Sequence, residues 1–138
     1  MRTDYSTFTV VPARLLLALM FILAGFGKLS DVSGTAAYIA SAGLPLPSAV
    51  AVMVGLLELI GGILIVIGFQ TRLAGLGLAL FTLAASWLFH AFWSAPAEQQ
   101  FVTQLLFMKN ISIAGGLLLL SALGPGPFSL DRKALAAG

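Results

Sequence analysis

Residues 49–69 read AVAVMVGLLELIGGILIVIGF, an apolar run of 21 residues with one charged residue, Glu58, near its centre. About 20 apolar residues in a helix cross the roughly 30 Å of hydrocarbon in a bilayer. The run therefore predicts a membrane-spanning helix. An ionised carboxylate at the centre of such a helix is unfavourable, and it is retained where another group pairs with it or uses it. The group that stands opposite Glu58 is thus the main question about function.

Working outward, three more segments are long and apolar enough to span a membrane. The predicted spans are residues 10–29, 49–69, 73–93 and 101–123. They fill a single domain over residues 1–138, for which we expect an all-α fold, an antiparallel bundle of four transmembrane helices. Pro12 is expected in the first turn of the first span, where its missing N–H does little harm. Residues 34–42 are expected to form a short helix at the membrane interface.

The composition agrees with a membrane protein and excludes several classes of function. Hydrophobic residues make up 59% of the chain and charged residues 9%, against about 25% charged residues in soluble domains. The net charge of +2 without a basic patch argues against a nucleic-acid partner. Because the chain has no cysteine and one histidine, we expect no disulfide, no thiol chemistry and no metal site.

Basic residues near the ends of the spans predict the orientation. Lys28 is the one basic residue close to a span end on one side, and five lie on the other side: Arg2, Arg14, Arg72, Arg132 and Lys133. The positive-inside rule places both termini in the cytoplasm. Aromatic residues near the end of the third span are then expected at the outer boundary of the membrane, namely Trp87, Phe92 and Trp93.

Small and polar residues recur at helical spacing along each span. The four stripes are Arg14, Ala18, Phe21, Gly25 and Lys28; Ala51, Gly55, Glu58 and Gly62; Gly75, Ala79, Thr82, Ser86 and His90; and Lys109, Ser112 and Gly116. In lipid, helices associate through small residues that permit close backbone approach and through polar side chains that bond across the interface. We therefore expect the four stripes to face each other inside the bundle.

Depth along the helices selects partners for Glu58. Lys109 differs from Glu58 by only about 3 Å in depth, whereas Arg14 is about 9 Å away. The first hypothesis is a Glu58–Lys109 ion pair whose hydrogen bonds Asn110 completes. The candidate intramembrane polar cluster or ligand-binding site comprises Glu58, Lys109, Asn110, His90, Lys28 and Arg14.

Each of these residues also has a structural alternative. The alternative for the ion pair is a purely structural role that fixes the register of two helices, since desolvation offsets much of the attraction in a buried pair. Arg14 and Lys28 are expected to serve as anchors that snorkel to the headgroups, although Lys28 shares a stripe with Gly25. His90 is expected as a polar residue at headgroup level.

Several motifs together resemble the DoxX family. They are AGFGKL at residues 24–29 after Arg14, GLLELIGG at 55–62, GFQTR at 68–72, Lys109-Asn110 followed by GG at 115–116, GPG at 124–126 and SLD at 129–131. Each motif alone is weak, but their order and spacing cover about the whole chain. The resemblance implies a small bacterial inner-membrane protein of four helices, similar to the small subunit of a thiosulfate:quinone oxidoreductase or to a membrane partner of soluble oxidoreductases.

Three functions follow as hypotheses. The first is a redox-linked subunit that binds a quinone or another small amphipathic ligand in a polar cleft, with Lys109, Asn110 and His90 as donors and Glu58 as a proton relay. The second is a non-enzymatic assembly or scaffold subunit whose stripes specify packing. The third is a small proton-coupled transporter acting as a homo-oligomer. No self-contained catalytic motif is visible, so whether the chain is an enzyme is left open.

Overall fold

The computed structural model of the chain describes residues 3–132, with side chains from residue 8 onward. Over these residues it contains five α-helices and a 3-10 turn, Phe92–Ser94. The helices are α1 Thr3–Ser30, α2 Val32–Ser41, α3 Pro47–Ile67, α4 Thr71–Phe89 and α5 Ala97–Leu123. The helices α1, α3, α4 and α5 are long and apolar enough to cross a membrane, so the predicted fold class is confirmed. Arg2 and Lys133, which enter the orientation argument, lie outside the described residues.

The spans pack antiparallel in the ring order α1, α3, α4, α5. The pairs α1–α3 and α4–α5 are in extensive contact, α3 and α4 touch less, and α5 meets α1 sparsely, where Leu17 lies over Gly116. The termini end of the bundle holds the start of α1, the α3–α4 turn and residues 124–132. The opposite end contains α2 and the 3-10 turn, and we call it the α2 end.

The ends of the helices follow local chemistry. Pro47 stands at the first position of α3, and Gly68 ends α3 in the left-handed conformation with φ of 69°. The N–H of Phe69 then bonds to the carbonyl of Leu64 at 3.0 Å, which closes the turn. The expectation for Pro12 is wrong, because α1 begins at Thr3 and Pro12 lies inside it. Hydropathy marks the apolar part of α1, whereas the helix itself continues through polar residues that precede the span.

The stripe residues of the first three spans face inward as predicted. In α1, α3 and α4 these residues are buried except Lys28 and His90, which are half-buried. The stripe predicted for the fourth span is wrong, because Lys109 and Ser112 are exposed. The buried face of α5 is instead apolar and consists of Ala114, Leu117 and Leu120. These three join a core with Ala18, Phe21, Ile65, Leu78 and Ala79.

Glycines bring the backbones of α1 and α3 together. A Cβ atom added to Gly25 would lie 2.5 Å from the backbone nitrogen of Leu59 and 2.7 Å from the carbonyl oxygen of Gly55. One added to Gly62 would lie 2.7 Å from a side-chain carbon of Ile22. At Gly25 the atoms in the way belong to the backbone, so a side chain there requires a helix to shift. The α1–α3 contact is thus backbone against backbone, which is the form that membrane helices use to associate closely.

We therefore predict that Gly25→Ala lowers the free energy of unfolding by about 1–3 kcal/mol, because the methyl group must push α3 away. Gly27→Ala on the same helix is the matched control, since a Cβ there meets nothing within 4 Å. The control is expected to match the parent protein or to exceed it by up to about 1 kcal/mol. Thermal unfolding in detergent measures both variants. Equal melting temperatures for the two would contradict the close α1–α3 contact.

Candidate functional site

Glu58 is paired with Lys28 across the α1–α3 contact. The Lys28 Nζ donates to the Glu58 Oε2 at 2.6 Å, and the side chains are 30% and 7% exposed, respectively. Each residue follows a glycine by three positions, Gly25 in α1 and Gly55 in α3, so each charge lies on the face that its glycine brings to the partner helix. The close backbone approach therefore places the two charged groups in direct contact.

The predicted Glu58–Lys109 pair is wrong, for two reasons. Depth gives no information on which helices are neighbours, and α3 packs on α1, α2 and α4 while α5 packs mainly on α4. In addition, side chains on a helix lean toward its N-terminus. Lys28, near the C-terminal end of α1, therefore points back toward the membrane centre instead of snorkelling outward. Its ammonium group reaches the level of Glu58 in this way.

Arg14 lies inside the bundle at the termini end. Its side chain is 3% exposed, so the interpretation as a snorkelling anchor is wrong. The guanidinium donates to the carbonyls of Pro125 at 2.7 Å, Val66 at 2.9 Å and Phe128 at 3.1 Å. Arg14 thus ties the last turn of α3 to residues 124–132, which carry carbonyls that no helix satisfies.

Two more charged residues at the termini end cap helices, and the sequence interpretation assigned neither a role in a site. The Asp131 carboxylate accepts from the N–H groups of Gln70 at 2.8 Å and Thr71 at 3.0 Å, at the start of α4. The Arg72 guanidinium donates to the last carbonyls of α5, those of Ser121, Ala122 and Leu123. An acid at a helix N-terminus and a cation at a C-terminus are both favourable. In the sequence, the SLD motif that follows the glycine-proline segment is the feature from which Asp131 could have been found.

The capping bonds set the protonation of Asp131. Burial alone would favour the neutral acid, but hydrogen bonds from Thr71 and Gln70 and the nearby Arg14 cation outweigh it, so the pKa of Asp131 lies below its ordinary value. Asp131 therefore stays ionised at neutral pH. As the cap of α4, it helps to hold residues 124–132 against the α3–α4 turn.

His90, Lys109 and Asn110 lie in the half of the bundle toward the α2 end, with His90 at that end and Lys109 and Asn110 near the middle of α5. His90 follows the last residue of α4, and Lys109 in α5 lies close enough for its charge to act on the imidazole. Lys109 is exposed on the outside of the bundle, whereas Asn110 and His90 are half-buried. The rings of Phe92, Trp93 and Phe107 pack together beside this group, with centroids 5.2–5.7 Å apart.

The six predicted site residues therefore occupy three places. Lys28 and Glu58 form an ion pair in the membrane and Arg14 lies at the termini end. The remaining three lie on α5 and just after α4, with Lys109 and Asn110 near the middle of α5 and His90 at the α2 end. Arg14 and Lys28 are about 21 Å apart along α1. No group of three His, Cys, Asp or Glu side chains converges among the described side chains of residues 8–132. Of these six residues, His90, Lys109 and Asn110 form no hydrogen bond or ion pair through their side chains with another described side chain.

The fold and these contacts define a small multi-pass membrane protein in which most intramembrane charges are satisfied inside a four-helix bundle. The family model for DoxX matches residues 9–91. The chain belongs to the DoxX family.

Relatives place the chain in the bacterial inner membrane. It is 43% identical over 126 residues to inner membrane protein YqjF of Escherichia coli (strain K12), covering 89% of both chains. It is 39% identical over 121 residues to inner membrane protein YphA of the same organism, covering 88% of this chain and 86% of that one. A Surfeit locus protein 4 homolog of Schizosaccharomyces pombe is 34% identical over 84 residues, which is 59% of this chain and 28% of that one. No solved structure gives a significant match.

We predict that the Lys28–Glu58 pair contributes to stability asymmetrically. Lys28→Met leaves a buried carboxylate without its cation and is expected to lower the free energy of unfolding by about 3 kcal/mol. Glu58→Gln leaves the better solvated ammonium group unpaired and is expected to lower it by about 1–2 kcal/mol. The double variant should lose less than the sum, with a coupling of about 1–2 kcal/mol. Thermal unfolding of all three variants in detergent provides the measurement.

Lys109→Met is the control for this cycle, because Lys109 is exposed and has no salt bridge to a described residue. Its stability in detergent should match that of the parent protein. Additive losses for Lys28 and Glu58, or a loss for Lys109 as large as that for Lys28, would refute the assignment of Lys28 as the partner.

A second prediction concerns pH and Asp131. Because the folded-state pKa is depressed, the stabilising contribution is fully present above the unfolded value of about 4 and is lost as the pH falls through the folded value. Asp131→Asn should therefore cost about 1 kcal/mol from pH 5 to pH 8, and this difference should shrink below about pH 4. Thermal unfolding of Asp131→Asn and of the parent protein across pH tests it. A difference that is unchanged at pH 3 would contradict the capping role.

Proposed function

We propose that the chain is a non-enzymatic assembly subunit of the inner membrane that binds a partner membrane protein through the outward face of α5. The observation that supports this function is the position of Lys109. It lies near the middle of the 27-residue helix α5, is exposed, and forms no hydrogen bond or ion pair with a described residue. A charge at that depth is unfavourable against lipid, and such residues usually pair with another group.

The acidic residues of the chain indicate what kind of partner fits. The sequence has five acidic residues, and Glu58 alone lies deep within a span. Glu58 is already paired with Lys28. A second copy of this chain therefore offers Lys109 no comparable carboxylate. The partner that fits is a different protein with an aspartate or glutamate in a membrane helix.

The other intramembrane charges fit the same function. Arg14 bonds three carbonyls and Glu58 bonds Lys28, so both hold helices in place and neither is left for chemistry. An oxidoreductase subunit is the partner class that the family resemblance implies. Both termini are proposed to face the cytoplasm, following the distribution of basic residues near the span ends.

We expect a photoreactive residue at Ser112, one turn from Lys109 and exposed, to crosslink a discrete partner in intact membranes. Lys109→Met should reduce the adduct at least about tenfold, because the partner then keeps an unpaired acid. Lys109→Arg should retain the adduct. Mass spectrometry identifies the partner, whose membrane helix is expected to carry an acidic residue.

The matched control is a probe at Leu80, which is exposed on α4 away from α5. It should not give the Ser112 adduct. The proposal fails if the Ser112 adduct contains a second copy of this chain, or if it forms equally well with Lys109→Met.

A second candidate function is binding of a quinone-like or similar amphipathic ligand near the α2 end. Donors at His90, Lys109 and Asn110 beside the packed rings of Phe92 and Phe107 support it, since ligand sites combine apolar walls with a few polar groups. His90→Ala should weaken saturable quinone binding to the purified protein but leave the Ser112 adduct intact. A titration without saturation would exclude this candidate. The transporter alternative stays a prediction.

A further inference from the structure

An apolar groove runs along the outer surface between α3 and α4, on the side of the bundle away from α5. Its volume is about 630 Å³. Its walls are leucine, isoleucine and methionine side chains, and two glycines deepen it, Gly61 and Gly77. A Cβ added to Gly77 would meet nothing within 4 Å, so no side chain of the bundle fills the space above it.

A second pocket lies next to the groove at the termini end and contains charged side chains. Gln70 lines both, and the pocket has a volume of about 530 Å³. Two arginines line the pocket, Arg72 and Arg132, together with one acid, Asp131. The Asp131 carboxylate already accepts two backbone N–H groups, and Arg72 donates to the end of α5. The Arg132 guanidinium has no hydrogen bond or ion pair to a residue whose side chain the structure describes.

The apolar walls of the groove and the arginines of the pocket together indicate an amphipathic occupant. On α3 the lining extends from Met53 to Leu64, about 17 Å along the helix axis, and it passes the centre of the helix at Leu57. A helix from a second copy would cross the whole hydrocarbon core, and an apolar helix face would leave the arginines of the pocket without a partner.

We propose that this groove and pocket bind one anionic phospholipid. The acyl chains lie in the α3–α4 groove over Gly77, and the headgroup phosphate lies in the pocket at Gln70, where Arg132 and Arg72 provide positive charge. Arginine binds phosphate through paired N–H donors and a charge that is always present. The lipid would cover the outer side of the α3–α4 contact, which is less extensive than the α1–α3 and α4–α5 contacts.

The test compares phosphatidylglycerol with phosphatidylcholine of the same acyl chains, each added to purified protein in detergent. Phosphatidylglycerol should raise the melting temperature by about 5 °C or more, and phosphatidylcholine by clearly less. Gly77→Leu, which fills the groove, and Arg132→Gln, which removes the exposed cation, should each abolish the difference between the lipids. Gly115→Leu on α5 is the matched control, because a Cβ there also meets open space. It should preserve the difference.

Three results would overturn the proposal. Equal shifts in melting temperature with both lipids would show that the protein does not recognise the charge of the headgroup. An undiminished difference in Gly77→Leu would place the lipid elsewhere. A change of oligomeric state in Gly77→Leu, seen by native mass spectrometry, would assign the groove to a second copy of the chain.

Discussion

The bundle depends on one constraint, that a charge inside the bilayer needs a partner within reach of its side chain. At the α1–α3 contact, Gly25 and Gly55 bring two backbones together, and Lys28 and Glu58 meet one turn further along each helix. The glycines and the ion pair therefore depend on each other. Without the close approach the carboxylate would face lipid, and without the pair the close contact would hold an unpaired charge.

At the termini end, charged side chains also have partners, but these partners are backbone groups. Helix ends leave carbonyls and N–H groups without partners, and in a membrane protein these need protein ligands where water is excluded. Arg14, Arg72 and Asp131 supply them for α3, α5 and α4. Residues 124–132 are thus part of the bundle. Their fold is held by the same bonds that cap the spans.

The sequence was sufficient for the four spans and for the inward faces of the first three, because hydropathy and helical spacing act within one helix. It was insufficient for the partner of Glu58. The depth of a residue in the membrane does not determine which helices are neighbours. In addition, the Lys28 side chain leans toward the membrane centre, so its ammonium group lies deeper than its position near the end of the span suggests. The face of α5 was also mispredicted, since its apolar residues Ala114 and Leu117 pack inward and Lys109 faces out. Polar residues in lipid usually face the bundle, and Lys109 is an exception to this rule.

The most direct test of the central claim is solid-state NMR in lipid bilayers, with ¹⁵N-labelled lysine and ¹³C-labelled glutamate. A Lys109→Arg, Glu98→Gln background leaves Glu58 as the only glutamate in the chain. The account predicts strong dipolar coupling between the Lys28 Nζ and the Glu58 carboxyl carbon, which disappears in Lys28→Met. A Glu58 carboxyl carbon without coupling to any lysine nitrogen, or with coupling that survives Lys28→Met, would contradict it.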